Sequence, residues 1–247
     1  MHQNTSVAKI KIMKRTLFYH ISCIALLIFA LGACREDVGP NQGDEKTYAL
    51  TGFDRLDIGS AFSIAVQAGP VFAVVAEGDR RNLDDLDVYV SKGTLLARYR
   101  TSWIRKHQTS LLITMPTVRG VEFSGASQST ITGFTNLSEL SIELSGAAEA
   151  EFTGEAARIT TDLSGSSTLQ LNGRGTALSA KVGGVSYLQA FSYPVSEAGI
   201  NASGASKASV SVSNTLVVDA NGASTVRYRG TPTVRQHVSG ASTVQSE

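Results

Sequence analysis

Cysteine is nearly missing. The 247 residues hold two, Cys23 and Cys34, both close to the N-terminus. For the rest of the chain this excludes a disulfide framework and a cysteine-ligated metal. Histidine is as scarce. Of four, His2 and His20 lie in the leader, and His107 and His237 are far apart. A zinc site needs more ligands than that, so neither a metal nor another cofactor is expected. No sign of charge dominates, with a formal net charge of +1. That excludes a nucleic-acid partner held by a broad basic surface. Aromatic residues make up 7%, too few for a sandwich with a thick aromatic core. The longest apolar run, Leu17 to Leu31, is shorter than the ~20 residues a spanning helix requires.

What is present is repetition. A four-residue phrase, mostly Ser-Gly-Ala-Ser, recurs seven times, with its turn glycine at 125, 146, 165, 184, 204, 222 and 240. The gaps are 21, 19, 19, 20, 18 and 18 residues. A near-fixed period of this size marks a solenoid with one turn of chain per repeat. The segments on either side alternate apolar and polar, as in Leu140-Ser-Ile142-Glu-Leu144 before a phrase and Thr168-Leu169-Gln170-Leu171 after one. That is the strand period. Gly133, Gly154, Gly173 and Gly230 mark a second break. Each repeat is thus strand, glycine corner, strand, variable loop. No gap leaves room for the about a dozen helical residues of a βαβ crossover.

The expected fold is all-β: a single-stranded parallel β-helix of about 19-residue repeats with an irregular N-terminal cap. Right-handedness follows from the general preference of crossovers. The serine two places after each glycine (Ser127, Ser167, Ser186, Ser206, Ser224 and Ser242, with Ala148 as the exception) shares the inward phase. It should form an internal ladder of hydroxyls bonded to one another or to carbonyls. A row of nucleophiles is excluded because no histidine lies in phase to act as base. Two places before each phrase the outward residues are Glu122, Glu143 and Asp162, then Lys181, Asn201, Asp219 and His237. Parallel stacking brings the three acids into a column about 5 Å apart. Such a column either holds a cation or is a solvated face balanced by Arg158 and Lys181.

Residues 1–33 read as an export signal: Lys9, Lys11, Lys14 and Arg15, an apolar run, then Leu31-Gly32-Ala33-Cys34. The box resembles a bacterial lipoprotein signal, which implies that the Cys34 thiol carries the lipid. Met13 is an alternative start. Arg35-Glu36-Asp37 resembles the surface-export signal of Bacteroidetes lipoproteins, and a periplasm-facing anchor is the alternative. Residues 34–46 lack periodicity and read as a flexible tether. Residues 47–247 are the β-helix domain, with 47–116 an irregular capping part and 117–247 the regular repeats. Within the cap, Leu56 to Val66 can be laid over Val121 to Ile131 as a degenerate turn, with Phe62 in the place of a ladder serine. The most unusual composition is Arg98 to His107, which contains the single tryptophan. Tyr99, Trp103 and Arg105 are candidates to stack on a sugar or hold an acidic glycan. The competing reading has Trp103 packed on the solenoid flank.

The lipobox, Phe53-Asp-Arg-Leu56-Asp-Ile58, Gly78-Asp79, Lys92-Gly-Thr-Leu95 and the repeated phrase together resemble the Bacteroidetes family called putative auto-transporter adhesin, head GIN domain. The resemblance spans about 48 to 247. It implies a parallel β-helix and a cell-surface or outer-membrane lipoprotein, and it brings no catalytic residues. The functional expectation is a non-enzymatic, lipid-anchored adhesin that binds a glycan or another surface protein. The alternatives are a pectinase-like hydrolase or lyase, and a scaffold assembling end to end through an open C-terminal edge.

Overall fold

A computed structural model describes residues 39–247. The export signal, Cys34 and the start of the tether lie outside the described residues. Residues 41–101 and 107–247 form one compact unit, and 102–106 group apart from it. The unit is a parallel β-solenoid with one strand sheet wound through all its turns.

From residue 120 on, the register follows the repeat. One side pairs β8 (Gly120–Phe123), β10 (Leu137–Leu144), β11 (Glu149–Leu163), β12 (Thr168–Val182), β13 (Tyr187–Ala202), β14 (Lys207–Ala220) and β16 (Thr233–Val238) in parallel. The other side starts at β9 (Gln128–Thr132), passes through β11 to β14, and ends at β15 (Thr225–Arg229) and β17 (Thr243–Ser246). Strands β11 to β14 thus serve both sides. At the second break of β11 and β12 no loop intervenes, because Gly154 and Gly173 are themselves paired in the ladder. The expected variable loop is replaced there by a bent, continuously bonded strand.

The corner explains the repeated glycine. In all seven phrases it has φ between +70° and +81°, the left-handed region that disfavours any residue with a Cβ. The corners also stack: Ser166 N donates to Gly146 O at 2.7 Å and Val185 N to Gly165 O at 2.8 Å.

The hydroxyl file lies inside. Ser127, Ser167, Ser186, Ser206 and Ser224 are fully buried. It is not one unbroken ladder. Ser167 Oγ pairs with Ser186 Oγ at 3.2 Å, and Ser224 Oγ with Ser242 Oγ at 3.1 Å. The Oγ atoms of Ser127 and Ser206 have no hydrogen-bond partner. The next turn above Ser127 offers Ala148, which has no side-chain oxygen, so that break was written in the chain. The interior also takes larger groups than the composition suggested, with Phe123, Phe134, Phe152 and Tyr193 fully buried. The Tyr193 hydroxyl receives the N–H of Ala156 at 3.1 Å and donates to its carbonyl at 3.0 Å. Tyr193→Phe orphans both groups, and chemical denaturation should show a loss of about 1–3 kcal/mol.

The N-terminal part is more ordered than expected, and it does not stack in chain order. β2 (Arg55–Ile58) and β3 (Ser63–Ala68) form the turn directly below β8 and β9, with Leu56 opposite Val121 and Val66 opposite Ile131. The overlay read from the sequence is therefore the true register. β6 (Thr94–Tyr99) and β7 (Ser110–Met115) form a turn on the far side of that pair. The direction then reverses. β5 (Leu86–Ser91) lies antiparallel on β6 through a two-residue turn in which Lys92 and Gly93 both have positive φ, the type I′ pattern. β4 (Ala73–Asp79) lies antiparallel on β7, and β1 (Gly43–Tyr48) antiparallel on β4. β1 corrects the tether reading, since Gly43 to Lys46 are in a strand. Its side chains from Gly43 to Thr47 are exposed and Tyr48 alone packs against the core, so no apolar alternation betrays it. It is ordered by backbone bonds to the free edge of β4.

One buried charge ties this cap together. Asp79 is fully buried and caps the short helix α1 (Arg80–Asp85) by accepting from Arg81 N at 3.0 Å. It also accepts from Gln42 N at 3.0 Å and from Arg81 Nε and NH2, both at 2.8 Å. Gly78 beside it passes so near Thr109 that a Cβ would sit 3.2 Å from the Thr109 Cα.

Candidate functional site

The solenoid's inward residues are committed to packing. Chemistry toward a partner must come from the outward columns, whose neighbours are set by the register.

The acid column is real and longer than expected. Glu122, Glu143 and Asp162 occupy neighbouring positions on adjacent strands, and Asp57 precedes them opposite Glu122. Asp57 was legible from the overlay of residues 56–66 on 121–131, but its place in the column needs β6 and β7 to pair on the far side of β2 and β3, which leaves the near side to β8 and β9. Arg98 NH2 meets Asp57 at 3.2 Å, and Lys181 Nζ lies 4.0 Å from Asp162. Partial desolvation raises the Glu122 carboxyl above its ordinary pKa. The negative charges of Asp57 and Glu143 add to this, and Arg98 offsets part of it. Among the described residues, no three His, Cys, Asp or Glu are placed to hold a metal ion.

The sequence-derived loop set is divided by the fold. Tyr99 ends β6 with its ring against Phe62, centroids 4.8 Å apart, and its hydroxyl within 2.7 Å of Thr109 Oγ1. These contacts leave Tyr99 half-buried. Arg105 is half-buried. Trp103 is 60% exposed and Ile104 54%, so Trp103 is open to a partner.

A feature that composition did not single out lies on the side of β9 and β11 to β15. Two adjoining troughs share Gln170, with volumes of about 460 and 490 Å³. The first is lined by Gln128, Thr130, Glu149 and Glu151, among others. The second holds Tyr187, Gln189, Phe191, Lys207 and Arg229. Tyr187, Gln189 and Phe191 alternate along β13, so all three belong to one outward face. Gln170 stands opposite Gln189, and Tyr187 opposite Lys207. Lys207 Nζ sits 5.4 Å over the Tyr187 ring, and the Arg229 guanidinium 4.0 Å over the Phe191 ring. Cation–π contact of this kind holds a charged head in place at a surface. The alternation of Tyr187, Gln189 and Phe191 was available in the sequence. Their cationic neighbours come from strands about 20 and 40 residues later and appear only in the stack.

The sequence profile of the family described as putative auto-transporter adhesin, head GIN domain, matches residues 52–232. The chain belongs to this family. Solved structures agree on the fold. A putative adhesin from Bacteroides fragilis superposes with a TM-score of 0.74 at 15% identity, covering 86% of this chain and 100% of its own. A putative lipid binding protein from Parabacteroides distasonis gives 0.71 at 15% identity, with 86% and 100% covered. A putative adhesin from Parabacteroides merdae gives 0.68 at 14%, with 86% and 99% covered. Among curated proteins none matches. At these identities the likeness is one of fold, and the family description points to a role at the cell surface.

Proposed function

We propose that this adhesin-family chain is a non-catalytic, lipid-anchored module of the cell envelope that binds an extracellular polymer, a glycan or the surface of another protein. The observation that carries the reading is the pair of adjoining troughs on the outward sheet side, where Gln170, Gln189, Tyr187, Phe191, Lys207 and Arg229 are brought together from successive turns. A face built from successive turns suits an extended partner, since strand positions follow one another about every 4.8 Å along the stack. Cys34 behind a basic and apolar leader supplies the anchor, and placement at the outer membrane or cell surface follows from it. Exposed Trp103 is a second contact in this proposal, with Arg105 beside it in the chain.

A glycan array probed with the purified protein tests the reading. Retention on a subset of glycans with no new reducing ends is the expected result. Turnover of any retained glycan would remove the non-catalytic assignment, and retention on none would remove the adhesin assignment. Trp103→Ala should weaken retention several-fold if that loop contributes. Labelled palmitate should enter the wild-type chain in cells and not the Cys34→Ser variant. Self-association through β16 and β17, each paired on one side among the described residues, belongs to the same proposal. Light scattering that shows a monomer at high concentration counts against it.

A further inference from the structure

The trough on β12 to β15 has a sign as well as a shape. Its lining includes Lys207 and Arg229 and no acidic residue. Both cations are held over aromatic rings, at 5.4 Å on Tyr187 and 4.0 Å on Phe191. Gln170 and Gln189 provide amide donors and acceptors between them. The chain itself shows what these cations accept. One carboxylate, that of Glu247, meets Arg229 NH2 at 2.9 Å and Arg227 NH1 at 3.3 Å. Both arginines are half-exposed, so the pair is open to exchange with a carboxylate from solution.

We infer that this trough is a subsite for an acidic sugar of the uronic-acid class within a glycan chain. The inference rests on the adhesin reading above and narrows it. The sugar carboxylate takes the place of Glu247 on Arg229 and approaches Lys207. The ring hydroxyls bond to Gln170 and Gln189, which can both donate and accept. The apolar face of the sugar lies along Tyr187 and Phe191, where an amphipathic ring and an aromatic edge match. The neighbouring trough carries Glu149 and Glu151, which disfavours a polymer charged at every residue. The fit is therefore best for a chain with acidic and neutral sugars interspersed.

Calorimetric titration of the purified protein with an aldotetraouronic acid, a single glucuronate on a neutral xylotriose, and separately with its methyl ester, tests this. The acid should bind, and the ester, which keeps every hydroxyl and loses the charge, should bind at least tenfold more weakly. Lys207→Gln combined with Arg229→Gln should reduce binding of the acid at least tenfold, while Lys181→Gln on the other side of the solenoid should leave it unchanged. Glu247→Gln removes the internal competitor and should tighten binding two- to threefold, a gain that a merely structural role for Glu247 would not produce. Circular dichroism and the melting temperature verify that each variant is folded. Equal binding of acid and ester, an unaffected double variant, or no binding of either would overturn the subsite. The glycan array separates this from the broader reading. If the array retains the protein and the double variant is retained equally, the subsite falls and the adhesin reading stands. If the array retains nothing, the broader reading falls.

Discussion

Alanine at Gly165 is expected to lower the thermal unfolding midpoint by on the order of 10 °C. Two effects add. The corner φ is +75°, which a residue with a Cβ adopts at a penalty of about 1–2 kcal/mol. The new Cβ would also lie 2.5 Å from Gly146 O and 3.0 Å from Gly146 N. Those are backbone atoms of the turn below, locked in the stack, so the clash is relieved only by parting the turns. A combined loss of about 3–5 kcal/mol is at the severe end for one substitution. In a domain of this size each kcal/mol shifts the midpoint by about 2–4 °C. Gly199→Ala is the control. A Cβ there meets nothing within 4 Å, and the effect should stay within about 0.5 kcal/mol. Because a solenoid is stabilised turn against turn, hydrogen exchange should show the Gly165→Ala loss concentrated in the strands flanking that corner. Equal melting of the two variants would show that the glycine phrase is not the structural hinge described above.

Asp79→Ala is expected to destabilise the protein by about 2–4 kcal/mol at neutral pH. Removing one member of a buried ion pair costs about 3–5 kcal/mol. Here Arg81 is 31% exposed and can turn to water, which reduces the penalty. The loss of the α1 cap adds about 1 kcal/mol. The effect depends on pH in a defined direction. Hydrogen bonding from the Arg81 side chain is the largest cause holding the Asp79 carboxyl well below its ordinary value of 3.8, and burial opposes it. A group whose folded pKa is depressed contributes fully above its unfolded pKa and loses that contribution as pH falls toward the folded value. The gap between wild type and Asp79→Ala, read from urea midpoints, should therefore be constant from pH 7 to about pH 5 and narrow below about pH 4. A gap that widens on acidification would refute the assignment.

Asp79 and Gly78 also illustrate how much was readable in advance. The pair stood out in the sequence, but its purpose did not, because its partners Gln42, Arg81 and Thr109 are spread over nearly seventy residues. β1 escaped notice for a related reason. A polar strand paired mainly through its backbone, with Tyr48 as its one core contact, leaves little trace in the side-chain pattern. Tyr99 stood out by composition, but its ring contact with Phe62 is visible only in the fold. In the regular region, by contrast, the period of the glycines and the two-residue alternation were enough to place Leu169 inside and Asp162 outside. Both follow from local geometry repeated turn after turn.

The chain by itself therefore determined the coil: the corner glycines, the parallel direction, the inward serines and the order of the acids along one face. Positive φ and strand alternation are properties of a few consecutive residues, so they survive as text. Only the tertiary structure decided that β6 and β7 stack beyond β2 and β3, that the parallel ladder ends in reversed strands, and that Tyr187, Lys207 and Arg229 share one trough. Those outcomes depend on which free strand edge a distant segment reaches and which register it takes there, and neither is a property of any short stretch of sequence.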